Sequence, residues 1–425
     1  MKQRNRPELF DRLKYLLALG IGGKFLVDTT VQLYNPFLTI IAAGIGINVV
    51  SMGRIVALRS LMGVSAPFLG SIADRIGHRL VIRWSLVLIG FGMVVAGLSG
   101  NAALFALAMV MTGVGHMGFT PNLHAYTSAR LPYHRRAMGL GMIEYSWALA
   151  GIAGLSLSGQ LIDLFSWRVP FFVLGALIVG AAIAYGTLPR TEPIRQSKSP
   201  DKSVSSAEVL RRVAGRKPGR SKVKGNAFLS FVDLGINSRS AWTCIALSGF
   251  CMFAMMHVTL IHGGWLEAEY GLRAGRLGGV ALLFGVVDLS ASFLVSVEVD
   301  RIGKRRSVMI GVIGMIIGFA LLPLFNRSLP LAILGIGIPR GFFEFAIVSN
   351  FPLLSEQVPD RRGKVLSFGM TAGLLGTALA GLTGPASYLR FGVWGLGTVS
   401  TFASCVSLIL LLLFVRDSPT GLKTG

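Results

Sequence analysis

Apolar runs of about 20 residues or more, the length a helix needs to cross a bilayer, alternate with short polar segments along this 425-residue chain. The pattern predicts twelve spans: 15–42, 47–73, 80–99, 102–128, 137–162, 168–188, 239–265, 275–298, 307–326, 329–355, 365–389 and 393–415. One stretch breaks the rhythm. Residues 191–226 are polar, Ser-rich and basic, without apolar periodicity, and read as a connector attracted to anionic lipid heads. The predicted fold class is therefore an all-α membrane protein. Its first six-helix half covers 1–190, a basic linker 191–238, and a second six-helix half 239–425.

The halves repeat one another. Residues 70–79 read GSIADRIGHR and residues 296–305 read SVEVDRIGKR, so the D-R-I-G runs from Asp74 and Asp300 lie 226 residues apart. Ser128 and Ser355, Pro132 and Pro359, Gly154 and Gly381, and Trp167 and Trp394 match at an offset of 227. Such register over half a chain indicates parallel copies of one six-span unit.

Composition agrees: 52% of residues are hydrophobic and 14% charged, against roughly 25% charged in a soluble domain. The formal net charge of +22 would suit a nucleic-acid binder if it were spread over a soluble surface. It is not: the Lys and Arg residues cluster before span 1 and after spans 2, 4, 6, 8 and 10. This positive-inside pattern predicts cytoplasmic termini and excludes nucleic acid as a partner. Cys244, Cys251 and Cys405 all fall in spans, with neither metal nor disulfide spacing. The first apolar run is too long for a signal-peptide core and reads as a retained span.

Ionisable residues inside spans narrow the search for a site. A charge at the bilayer centre costs roughly 2.5–3.5 kcal/mol or more, so it must face a partner or water. Spans 3, 6, 9 and 12 carry none in mid-span. The candidates are Lys24 and Asp28 in span 1, Arg54 and Arg59 in span 2, and His116 and His124 in span 4. Glu144 in span 5, His257 in span 7, Asp288 in span 8, and Arg340 and Glu344 in span 10 complete the set. Counted from the basic loops at 1.5 Å per residue, Asp28, Arg59 and His116 share a level about 21–22 Å deep, Asp288 lies at about 18 Å and Glu144 at about 12 Å. Lys24 with Asp28, and Arg340 with Glu344, are one helical turn apart and are expected to neutralise each other unless they serve substrate or protons. Arg59 is expected to pair with Asp28 or Asp288, or to hold an anionic substrate. Glu144, beside Tyr145 and Trp147, suits an amphipathic or cationic ligand. Tyr34-Asn35-Pro36 is expected to break or bend span 1.

The loop between spans 2 and 3 resembles the signature G-x-x-x-D-R/K-x-G-R/K-R/K of the major facilitator superfamily. Gly70, Asp74, Arg75, Gly77 and Arg79 fit it, with His78 in one basic slot; the second copy keeps Asp300, Arg301, Gly303 and Arg305 but has Ser296 for the first Gly and an added Glu298. The run from Gly159 to Phe171 resembles the family's link between helices 5 and 6. The resemblance implies a secondary transporter working by alternating access, with helices 1, 4, 7 and 10 around a cavity. It further implies that Asp74 accepts hydrogen bonds at the start of helix 11, near Lys364, and Asp300 at helix 5, with the four arginines forming pairs that break and remake. A small residue at 70 would let a helix approach closely.

The expected function is proton-coupled export of a small organic solute, with uptake by symport as the alternative. A non-transporting assembly factor on the same fold is the reading from another class. Export rests on Gly154 to Gly159, which keeps the small residues of the family's antiporter run G-x-x-x-G-P-x-x-G-G without its Pro. No nucleotide motif, metal cluster or nucleophile constellation appears, so no enzyme and no cofactor is expected. The expected partners are a small-molecule substrate, protons and the lipid bilayer, with the monomer functional in a bacterial cytoplasmic membrane.

Overall fold

The computed structural model describes residues 6–131, 136–189, 234, 237–358 and 361–415. Nearly all of the linker falls outside the described residues, and so does the Asp300 side chain. Among the described residues there is no strand. Among the described residues nine helices are long and apolar enough to span a bilayer, and two bent pairs, each counted as one span, bring the number to eleven. One of the nine, Arg362–Phe414, runs for 53 residues and is interrupted at Gly392, with φ 59° and ψ −147°. Dividing it there gives twelve spans.

We number them in chain order. Helix α1 is Arg6–Gln32 continued by Tyr34–Ile45, and α2 is Val49–Leu61 continued by Ala66–Ile76. Next come α3 (His78–Leu98), α4 (Ala102–Ser128), α5 (Arg136–Leu149 extended through Leu155–Leu164) and α6 (Val169–Ala184). After the linker come α7 (Ser238–Thr259 continued by His262–Tyr270), α8 (Ala274–Ile302), α9 (Lys304–Phe325) and α10 (Leu329–Gln357). Helices α11 and α12 are the parts of Arg362–Phe414 before and after Gly392.

Local chemistry explains the breaks. Helix α1 bends by 56° at Leu33, because Pro36 has no N–H to give the Gln32 carbonyl. Asn48 and Asn101 cap α2 and α4, accepting from Ser51 N at 2.7 Å and Leu104 N at 2.9 Å. The twin D-R-I-G runs end in twin turns. Gly77 and Gly303 have φ of 96° and 94°, a region that strains any residue with a Cβ. The arginines two residues on do the same work in both copies. Arg79 donates to the Gly186 carbonyl just past α6, and Arg305 to the Leu411 and Leu412 carbonyls of α12 at 3.4 and 3.2 Å. Each satisfies carbonyls at a helix C-terminus, where a cation is favoured.

The two sets of six helices meet at the end remote from those turns. There Thr39 of α1 donates to Glu267 Oε2 of α7 at 2.7 Å. Gly275 N of α8 donates to Asp163 Oδ2 of α5 at 2.8 Å, and Ser156 of α5 donates to the Gly278 carbonyl of α8 at 3.0 Å. Small residues bring the backbones together: Gly53 of α2 faces the Gly381 carbonyl of α11, and Gly159 of α5 faces the Ala274 carbonyl of α8.

At the other end the picture differs from expectation. The Asp74 side chain is 63% exposed, and its partner is His78 of its own turn, at 3.8 Å. It does not reach α11. A Cβ added to Gly70 would touch nothing within 4 Å, so no helix approaches there in this conformation. Arg75 is exposed, and Arg301 pairs with Glu298 at 3.3 Å. The bundle is sealed at one end and parted at the other.

Candidate functional site

Between the sealed end and the parted end, most of the intramembrane ionisable residues gather into two clusters. The first lies among α1, α4 and α5. Lys24 Nζ donates to Asp28 Oδ2 at 2.8 Å, one turn along α1, and lies 3.1 Å from Glu144 Oε2 of α5. The other Glu144 oxygen lies 2.8 Å from His124 Nε2 of α4. Ser146 adds a hydrogen bond to Asp28 Oδ2 at 2.9 Å. The result is a chain Asp28–Lys24–Glu144–His124 across three helices. Lys24 and Asp28 are buried, whereas the Glu144 side chain is 52% exposed. Glu144 is thus engaged by two basic groups while half of its side chain stays exposed.

The second cluster joins α8 and α10. Arg340 donates Nε to Asp288 Oδ1 at 2.7 Å and Nη2 to Asp288 Oδ2 at 2.6 Å. This two-pronged geometry is the strong form of an Arg–carboxylate pair. The Phe284 ring lies 5.5 Å from the guanidinium carbon. Glu344, expected to neutralise Arg340 from the next turn, instead accepts a hydrogen bond from Ser292 of α8 at 2.9 Å and forms no ion pair among the described residues. It lies within electrostatic range of Asp288, Arg340 and, from the first cluster, Glu144.

Arg59 is paired with neither Asp28 nor Asp288. It is 9% exposed; its Nε reaches Thr112 Oγ1 of α4 at 3.4 Å, and the Tyr34 ring of α1 lies 5.5 Å from its guanidinium carbon. His116, one turn past Thr112, is half-buried and within electrostatic range of Arg59, Lys24 and Glu144. His257 stands apart, with Nδ1 3.2 Å from Thr383 Oγ1 of α11. Arg54 is exposed.

The structure adds three hydroxyls, Ser146, Ser292 and Thr112, that the sequence did not single out. A lone Ser or Thr in an apolar span carries no signal, because most such hydroxyls bond a carbonyl in the preceding turn. It also adds a π-helical turn at Ala150–Gly154 in α5, where Gly154 accommodates the Thr29 side chain of α1. Turns of this kind frequently mark functional sites.

A bundle of apolar helices with clustered charge in its middle has the architecture of a multi-pass membrane protein, and comparison with known proteins gives its class. The family model described as Major Facilitator Superfamily matches residues 21–272 and 244–425. The chain belongs to the major facilitator superfamily. It is 24% identical over 409 residues to YceJ of Bacillus subtilis, an uncharacterized MFS-type transporter, with 93% of this chain and 95% of that protein covered. It is 26% identical over 163 residues to the multidrug resistance protein MdtG of Escherichia coli, covering 37% of this chain and 40% of that one. In structure it is similar to a D-xylose–proton symporter, with a TM-score of 0.73, 18% sequence identity, and 96% and 98% of the two chains covered. The chain is thus a multi-pass membrane transporter and not an enzyme.

Proposed function

We propose that this protein couples proton entry to the export of a small organic molecule across a bacterial cytoplasmic membrane, by alternating access. The observation that carries the reading is Glu344. Asp288 has both oxygens on Arg340, which leaves Glu344, held by the Ser292 hydroxyl and within range of Asp288 and Arg340 alike, as the carboxylate free to take up a proton. It lies within electrostatic range of Glu144 of the first six helices. Approach of the two halves around the site brings like charges together, so protonation favours closure and deprotonation favours parting. The positive-inside pattern supports a cytoplasmic position for the parted end, the side from which an exporter loads. The multidrug resistance protein among its relatives supports the export direction. Uptake by symport is the second reading, favoured by the missing Pro in the run from Gly154 to Gly159.

The test is flux in proteoliposomes under an imposed pH gradient, with a panel of small organic solutes. Gradient-driven flux by the wild type and its loss in Glu344→Gln, with solute exchange at equal pH retained, is the expected outcome. Flux indifferent to an uncoupler would refute proton coupling.

A further inference from the structure

The cations of the two clusters are engaged: Lys24 by Asp28 and Glu144, Arg340 by Asp288. Arg59 is not. Its Nη2 is buried with no hydrogen-bond partner, and no carboxylate contributes to its electrostatic environment among the described residues. A guanidinium has five N–H donors and cannot shed its charge. A buried ion without a counter-ion is strongly unfavourable, so this arrangement makes sense in a protein that receives its counter-ion from outside.

The surroundings fit an arriving anion. Tyr34 is spaced for contact with the π-face of the guanidinium, a mode that leaves its N–H edge free for an oxyanion. The Tyr34 hydroxyl is directed to Met93 Sδ at 3.9 Å, so it does not compete. Thr112 is fixed by its own bond to the Met109 carbonyl at 3.1 Å and steadies Arg59 Nε. His116, on the same face of α4, borders the spot and is partly open. The position also suits a transported molecule. Gly53, six residues nearer the sealed end of α2, packs on Gly381. Arg59 therefore lies about 9 Å further than Gly53 from the sealed end along α2.

We propose that Arg59, with Thr112 and His116 beside it, is the anion-binding point of the substrate site, and that the substrate is a small organic acid whose carboxylate docks on its free N–H edge. This rests on the transport reading above and deepens it by naming the substrate class.

The experiment is a thermal-stability and binding assay on the purified full chain in detergent, with a matched panel of small aromatic and aliphatic carboxylates, the corresponding amines and the corresponding alcohols. We expect at least one carboxylate to raise the melting temperature of the wild type, while its amine and alcohol counterparts do not. Arg59→Met abolishes that shift and weakens binding by about 10-fold to 100-fold, the loss of one charge-assisted bond. Arg59→Lys retains part of it. The ligand-free Arg59→Met protein melts higher than the wild type, because an uncompensated buried charge has been removed; a merely structural arginine would give the reverse. No carboxylate-dependent shift, the same shift in Arg59→Met, or stabilisation by amines or alcohols alone overturns the proposal. The transport reading fails separately: carboxylate binding that drives no pH-dependent flux removes proton coupling and leaves the anion site standing, whereas proton-coupled flux of amines does the opposite.

Discussion

At the scale of single residues, the two clusters differ in how far the sequence could show them. Lys24 and Asp28 share one helix face at a spacing of four, so helical geometry alone predicts their contact, and it forms at 2.8 Å. Arg340 and Glu344 have the same spacing, yet Arg340 turns to Asp288 on α8 at 2.6 Å. Asp288 offers both oxygens to two guanidinium nitrogens, and a two-pronged pair outcompetes a one-turn contact. Choosing between them needs the distance from α8 to α10, which no local pattern encodes. Breaking a buried pair on one side leaves an uncompensated charge, at a cost of about 3–5 kcal/mol, whereas replacing both partners by apolar residues is near neutral. Asp288→Leu should therefore lower the melting temperature sharply, and the double variant Asp288→Leu with Arg340→Met should recover most of the loss. Equal destabilisation in both variants would show that the pair is not what holds α8 to α10.

At the scale of helices, apolar length located the spans, and Pro36 located the bend in α1, because both effects are local. The repeated D-R-I-G located the twin turns for the same reason. Gly77 and Gly303 hold φ values of 96° and 94°, and forcing a side chain into such a conformation costs about 1–3 kcal/mol. Gly77→Ala and Gly303→Ala should each lower stability by that amount in a thermal unfolding assay. Gly70→Ala should not, since an added methyl there meets nothing within 4 Å. If α11 closes on α2 in another state, Gly70→Ala reduces transport while leaving the melting temperature in place; unchanged transport would remove the close-approach role. The π-helical turn at Ala150–Gly154 had no such signature. Its extra residue per turn is accommodated by Thr29 packing on Gly154 from α1, a tertiary contact between elements far apart in sequence.

At the scale of the whole molecule, one conformation shows one end joined, and the other state follows from what the joined end would have to release. Transport by alternating access requires the contacts between α1 and α7 and between α5 and α8 to part in each cycle. The α1–α7 contact can be locked by chemistry. A Cβ built on Gly264 of α7 lies 3.4 Å from the Thr39 Cβ of α1, close to the mean separation of about 3.8 Å across a disulfide. The native thiols at Cys244 and Cys251 are buried, so replacing the three native cysteines by Ala or Ser leaves a background for an introduced pair. In that background, Thr39→Cys with Gly264→Cys should cross-link on mild oxidation, stop flux almost completely, and regain it on reduction. Carboxylate binding at Arg59 should persist in the cross-linked protein, because the locked end is the one already closed and the route from the parted end stays open. Flux that survives complete cross-linking would mean that α1 and α7 do not separate during transport. Loss of binding on cross-linking would place the access route at the joined end.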